Sequence, residues 1–125
     1  MIQDRKHIAI VDDDPGVLRA LGRLVRTLGY ETIAYGSGEA LLSDLGQTAP
    51  ACAILDQHLP GLTGLEILTE LARATPPVAA VLITGLDEPG LRERCLVAGA
   101  VAYVLKPVSK VEIEAAIEKA THIGD

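Results

Sequence analysis

The chain has 125 residues, of which 49% are apolar and 22% charged, which suits one globular domain spanning residues 1–125 and excludes a disordered chain. Its net charge is −6 and it has no Lys/Arg cluster, which disfavours direct nucleic-acid binding. No apolar run approaches the ~20 residues of a membrane span, and Met1–Lys6 lacks a signal-peptide core, so a cytoplasmic location is expected.

With no Phe, no Trp and three Tyr, the core must be aliphatic. Cys52 and Cys95 are too few and too isolated for a disulfide scaffold or a zinc site, and read as reduced thiols. The first apolar run, His7–Val11, ends in Asp12-Asp13-Asp14, and Pro15 then favours a helix start. Val17, Leu18, Leu21, Leu24, Val25 and Leu28 fall at helical spacing on one face, and Gly29 supplies a stop. Glu31–Tyr35 alternates more than the first run and reads as a strand nearer an edge. Ser37 can cap a short helix that reaches Leu45 and is ended by Gly46.

The third unit is the focus of the chain. Ala51–Leu55 is a short apolar strand that stops at Asp56, and a turn follows through Leu62. Thr63-x-x-Glu66 is a capping-box pattern opening a helix whose inner face is Leu65, Leu68, Leu71 and Ala72, closed by Pro76-Pro77. The fourth strand, Val78–Ile83, ends at Thr84-Gly85, and a helix from about Pro89 to Ala98 stops at Gly99. Pro89-Gly90 near its start should weaken the first turn, since Gly costs about 1 kcal/mol against Ala. The fifth strand, Val101–Leu105, ends at Lys106-Pro107, and Ser109-x-x-Glu112 opens a last helix with Val111, Ile113, Ala116, Ile117 and Ala120 apolar.

Five strand–helix units alternate without interruption. Near-continuous apolar strands joined by helices imply a parallel sheet covered on both faces, and right-handed crossovers make it doubly wound. Parallel strands bring their C-terminal ends to one rim, where such sheets bind ligands. Asp12 and Asp13, then Asp56, Thr84 and Lys106 are left there, while the end of the second strand, Tyr35-Gly36, contributes nothing evident. By itself Asp56 could equally begin a turn. Three carboxylates in one cleft repel, however: two unit charges ~4 Å apart cost about 4 kcal/mol at an effective dielectric near 20. An oxygen-rich cluster of this kind suits Mg²⁺. Together with the Lys106 charge and the Thr84 hydroxyl it can hold a phosphoryl group, with Asp56 the natural nucleophile, Asp12 and Asp13 on the metal, and Asp14 capping the first helix.

Val11-Asp12-Asp13-Asp14, Leu55-Asp56-x-x-Leu59-Pro60-x-x-x-Gly64, Ile83-Thr84-Gly85 and Tyr103-x-x-Lys106-Pro107 resemble, in order and spacing, the receiver domain of two-component response regulators. The resemblance runs from His7 to about Ala120. It implies a flavodoxin-like (βα)5 fold with strand order 2-1-3-4-5. It also implies that Asp56 accepts phosphate from a sensor histidine kinase or a histidine phosphotransfer protein. Asp12, Asp13, Asp56 and the backbone carbonyl of His58 would be the Mg²⁺ ligands. Thr84 and Lys106 would contact the phosphoryl oxygens, Thr84 and Tyr103 would form the switch, and the Lys106–Pro107 bond would be cis. The readout would be the face of helix 4, strand 5 and helix 5, where an output domain, a protein target or a second copy would dock.

Leu59 stands where the family frequently has Met, and His58 and Leu86 occupy positions that tune phosphate lifetime. His58 by its ring reads as an exposed loop residue, and His7 and His122 as incidental. Two other readings compete. A small Mg²⁺-dependent phosphatase or phosphotransferase would use an aspartyl phosphate but usually needs a second acid two residues after the nucleophile, where this chain has His58. A flavodoxin-like flavin carrier would need a Ser/Thr/Gly-rich loop after the first strand, where three acids stand. A switch without turnover of an external substrate therefore fits best.

Overall fold

The computed structural model describes residues 6–122 and contains five strands and five helices in strict alternation. They are β1 (His7–Val11), α1 (Pro15–Thr27), β2 (Glu31–Tyr35), α2 (Gly38–Thr48), β3 (Cys52–Asp56), α3 (Gly64–Arg73), β4 (Ala79–Thr84), α4 (Leu91–Ala98), β5 (Ala102–Leu105) and α5 (Lys110–Thr121). All neighbouring strands run parallel in the order β2-β1-β3-β4-β5, which bears out the expected doubly wound fold. β2 is an edge strand, as its alternation suggested, and β3 is central and buried along its whole length.

The sheet separates two aliphatic layers. On one face Ile8, Ile10, Ile54, Val81 and Ile83 pack with Leu21 and Val25 of α1 and with Ile113 and Ile117 of α5. On the other, Val11, Leu55 and Leu82 pack with Leu41 of α2, Leu68 and Leu71 of α3, and Leu91 and Cys95 of α4. Alternate side chains of one strand thus feed opposite layers, the period-two geometry of a strand. Both cysteines are buried and free.

Local capping follows the sequence closely. Asp14 caps α1 by accepting the Gly16 N–H at 2.8 Å. Ser37 caps α2, and Thr63–Glu66 and Ser109–Glu112 both form complete reciprocal capping boxes. The Lys106–Pro107 bond is cis.

Several expectations need correction. α2 does not stop at Gly46; it continues to Thr48 and ends at Ala49, which adopts φ 43°. Leu42 and Leu45 pack against the core, and packing outweighs the ~1 kcal/mol that an interior Gly costs. α4 begins at Leu91, so Pro89 and Gly90 lie outside it. Gly90 has φ 79°, a left-handed conformation that glycine adopts without penalty, so it sets the turn into the helix and does not weaken its interior. The inner face of α3 includes Ile67 in place of Ala72, which is exposed, and Val111 of α5 is 76% exposed. β4 starts one residue later than expected and includes Thr84, and β5 starts at Ala102. Away from the acidic rim, the buried Tyr35 side chain donates a 2.6 Å hydrogen bond from its hydroxyl to Asp44, tying β2 to α2.

Candidate acidic phosphoryl site

Three parallel strands converge on one rim. β1 delivers Asp12 and Asp13 just past its end, β3 ends in Asp56, and β4 ends in Thr84. One carboxylate oxygen from each of Asp12, Asp13 and Asp56 lies within 4.8 Å of the others. Asp12 is 1% and Asp56 4% exposed, whereas Asp13 faces solvent. Lys106, following β5, reaches across the rim and places Nζ 3.2 Å from Asp12 Oδ2 and 3.2 Å from Asp56 Oδ1. Asp12 also accepts the backbone N–H of Asp14 at 2.9 Å, which fixes the turn into α1.

The electrostatics follow from this crowding. Burial raises the pKa of Asp56, as does the neighbouring Asp12 charge, while the Lys106 ammonium and the His58 N–H act in the opposite sense. Burial works against the Lys106 ammonium, but its hydrogen bonds to Asp56 and Asp12 outweigh that and hold its pKa above the ordinary lysine value. A single lysine thus partly offsets three carboxylates. Hard oxygen donors at this spacing, one of them open to solvent, fit a small divalent cation.

Two of the remaining candidates make their hydrogen bonds with the loop after β4 and not with the acids. The Thr84 hydroxyl is buried and bonds to its own loop, donating to Leu86 O at 3.1 Å and accepting from Leu86 N at 3.2 Å. Tyr103 is half-buried and donates its hydroxyl to Asp87 Oδ1 at 2.9 Å. Its pKa is pushed up to about 12 by burial first and by the Asp87 carboxylate second. His58 is exposed, in keeping with a loop residue.

The loop between β3 and α3 is held by residues that sequence reasoning passed over. Gln57 is buried; its side chain accepts the Leu65 N–H at 2.9 Å, and its carbonyl accepts N–H groups from Leu59 and Gly64. Glu39, on α2, accepts the Leu62 N–H at 3.3 Å from 23 residues away. Gly64 lets α3 approach: a Cβ there would stand 2.6 Å from Asp56 O, 2.8 Å from Leu82 Cδ1 and 2.9 Å from Gln57 Cα. Only the glycine had a readable signal, as the last residue of the Leu59-Pro60-x-x-x-Gly64 motif.

The family model described as Response regulator receiver domain matches residues 8–118. Among curated relatives, Response regulator protein TmoT of Ectopseudomonas mendocina is 35% identical over 117 residues, covering 94% of this chain and 53% of its own length. Nodulation protein W of Bradyrhizobium diazoefficiens is 35% identical over 114 residues, covering 91% and 50%. The chain therefore spans about half the length of these relatives. A CheY-like receiver domain protein from Methanospirillum hungatei superposes with a TM-score of 0.86 at 27% identity, covering 94% of each chain. A receiver domain from Clostridium thermocellum does so with 0.86 at 26%, covering 93% of this chain and 94% of its own.

Proposed function

This chain belongs to the response regulator receiver family, the receiver domain of two-component response regulators, and from that premise we propose that it is a switch set by one phosphoryl group on Asp56. The observation that carries the proposal is the Lys106 ammonium held 3.2 Å from both Asp12 and Asp56, with Asp13 in the same cluster. A nucleophilic carboxylate, a fixed cation and a group of metal-type oxygens are what phosphoryl transfer asks of a protein.

In the proposed reaction a carboxylate oxygen of Asp56 forms a P–O bond as the P–N bond of a phosphohistidine donor breaks. The electron pair leaves with the donor imidazole. Lys106 then balances charge on the phosphoryl oxygens, and Thr84 turns from Leu86 to donate its hydroxyl to one of them. Asp12, Asp13, Asp56 and the His58 carbonyl would hold Mg²⁺, which when bound supplies positive charge against the carboxylates and the transferring group. Hydrolysis returns Asp56 to its carboxylate, so the activity is self-phosphorylation from a donor and self-dephosphorylation, without turnover of an external substrate. His58 and Leu86, both exposed, are placed to set its rate.

Membership of the family implies a histidine-kinase partner. The outgoing surface in this reading is formed by α4, β5 and α5, where an output domain, a target protein or a second copy docks. Exposed Leu96 and Val97 on α4, Leu105 on β5 and Val111 on α5 support that choice. Among the described residues no helix is long and apolar enough to cross a membrane, and a cytoplasmic single receiver unit over residues 1–125 is part of the same proposal.

Beryllofluoride, a non-transferring phosphoryl mimic, tests the site directly. With Mg²⁺ present, fluorine NMR should show bound resonances for the wild-type chain and none for Asp56→Asn. Bound resonances of equal intensity in Asp56→Asn would move the acceptor elsewhere.

A further inference from the structure

Asp87 follows β4 by three residues and precedes α4 by four, in the loop ahead of the N-cap position. It does not cap α4: the N-cap is Gly90, with no side-chain hydrogen bond, and the Leu91 N–H goes to Glu88 O. Among the described residues the one hydrogen bond of the Asp87 carboxylate is to the Tyr103 hydroxyl, 16 residues away on β5, and that hydroxyl has no other partner. Arg92, in the first turn of α4, sets its guanidinium 5.9 Å from the centre of the same ring. The ring is thus held at its tip by an anion and flanked by a cation, both outside the acidic site.

The neighbour of Asp87 matters as well. Leu86 engages the Thr84 hydroxyl through both its N–H and its carbonyl. Two consecutive loop residues therefore hold both groups of the proposed switch, Leu86 by main chain and Asp87 by side chain. A displacement of Thr84 toward the acids frees Leu86, and Asp87 is attached to it by one peptide bond.

We infer that Asp87 is a latch on Tyr103, a positioning residue that keeps the ring in the place seen here until the loop after β4 moves. The inference rests on the reading of Tyr103 as the outgoing group of the switch. It makes the resting balance of the switch depend on a side chain outside the phosphoryl chemistry. An exposed hydrogen bond to a charged acceptor is the right size for the task, strong enough to bias a rotamer and weak enough to be reversed.

Side-chain scalar couplings of residue 103 in the isotope-labelled full chain, without phosphodonor, provide the test. In the wild type one χ1 rotamer should dominate, and Asp87→Ala should raise the minor rotamer population at least threefold. In a Tyr103→Phe background, which has no hydroxyl to hold, Asp87→Ala should leave the ring couplings unmoved. Unchanged couplings in the single Asp87→Ala variant would overturn the latch. So would an equal redistribution in the Tyr103→Phe background, because Asp87 would then act without the hydroxyl. Neither measurement uses a phosphoryl donor, so a chain that failed to load Asp56 would contradict the proposed function while the latch was judged on its couplings alone.

Discussion

Asp13 is the one member of the acidic cluster that faces solvent, while Lys106 already engages Asp12 and Asp56. Three acids and one lysine leave the rim with an excess of negative charge, which a divalent cation would relieve. Mg²⁺ should therefore raise the melting temperature of the wild type; at a hundred times its Kd, mass action contributes about 2.7 kcal/mol. Asp13→Ala should lose most of that rise, measured by calorimetry with and without chelator. An undiminished Mg²⁺ response in Asp13→Ala would place the cation elsewhere. Asp12, Asp56 and Lys106 were readable in the sequence because each directly follows or ends an apolar strand, and parallel strands bring those ends together. Gln57, Glu39 and Asp87 were not, because each of their side chains works through a single hydrogen bond, to a main-chain N–H or a distant hydroxyl. Such bonds leave no periodicity behind.

At the scale of elements, the approach of α3 to the end of β3 sets the geometry behind Asp56. A methyl at position 64 would meet main chain at Asp56 and Gln57, neither of which can swing aside as a flexible side chain could. Gly64→Ala should cost roughly 1–3 kcal/mol by overpacking, read as a shift in a urea midpoint, and should slow loading of Asp56 as α3 is pushed away. Wild-type stability and rate together would show that the close approach is unimportant. The end of β4 carries a different expectation. Thr84→Ala removes the hydroxyl that Leu86 now holds and that the phosphoryl group would draw in. The variant should still accept phosphate, more slowly, but lose most of the phosphorylation-linked NMR shift change around Leu91, Cys95 and Tyr103. Intact shifts in the loaded variant would remove Thr84 from the coupling route. Helix starts were legible because Asp14, Ser37, Thr63 and Ser109 are capping residues followed at once by helical periodicity. Two glycines misled for opposite reasons. Gly46 is carried inside α2 by its packed neighbours, whereas Gly90 lies before α4 in a conformation suited to glycine.

For the whole molecule, alternation of apolar strands with helices specified a parallel sheet covered on both faces, while the strand order came from the family resemblance and agrees with the observed β2-β1-β3-β4-β5. That order puts β1 and β3 side by side, which brings Asp12 and Asp56 together across 44 residues, and puts β4 and β5 beside them, which adds Thr84 and Lys106. Fold and site are thus one consequence of one topology. The proposed outgoing surface was less legible, because α4, β5 and α5 are marked only by scattered exposed apolar residues. The central claim, that this rim exists to load one phosphoryl group on Asp56, is tested most directly by intact-mass measurement after incubation with acetyl phosphate and Mg²⁺. The account predicts one added phosphoryl group per chain in the wild type and none in Asp56→Asn; stoichiometric labelling that survives the Asp56→Asn substitution would contradict it.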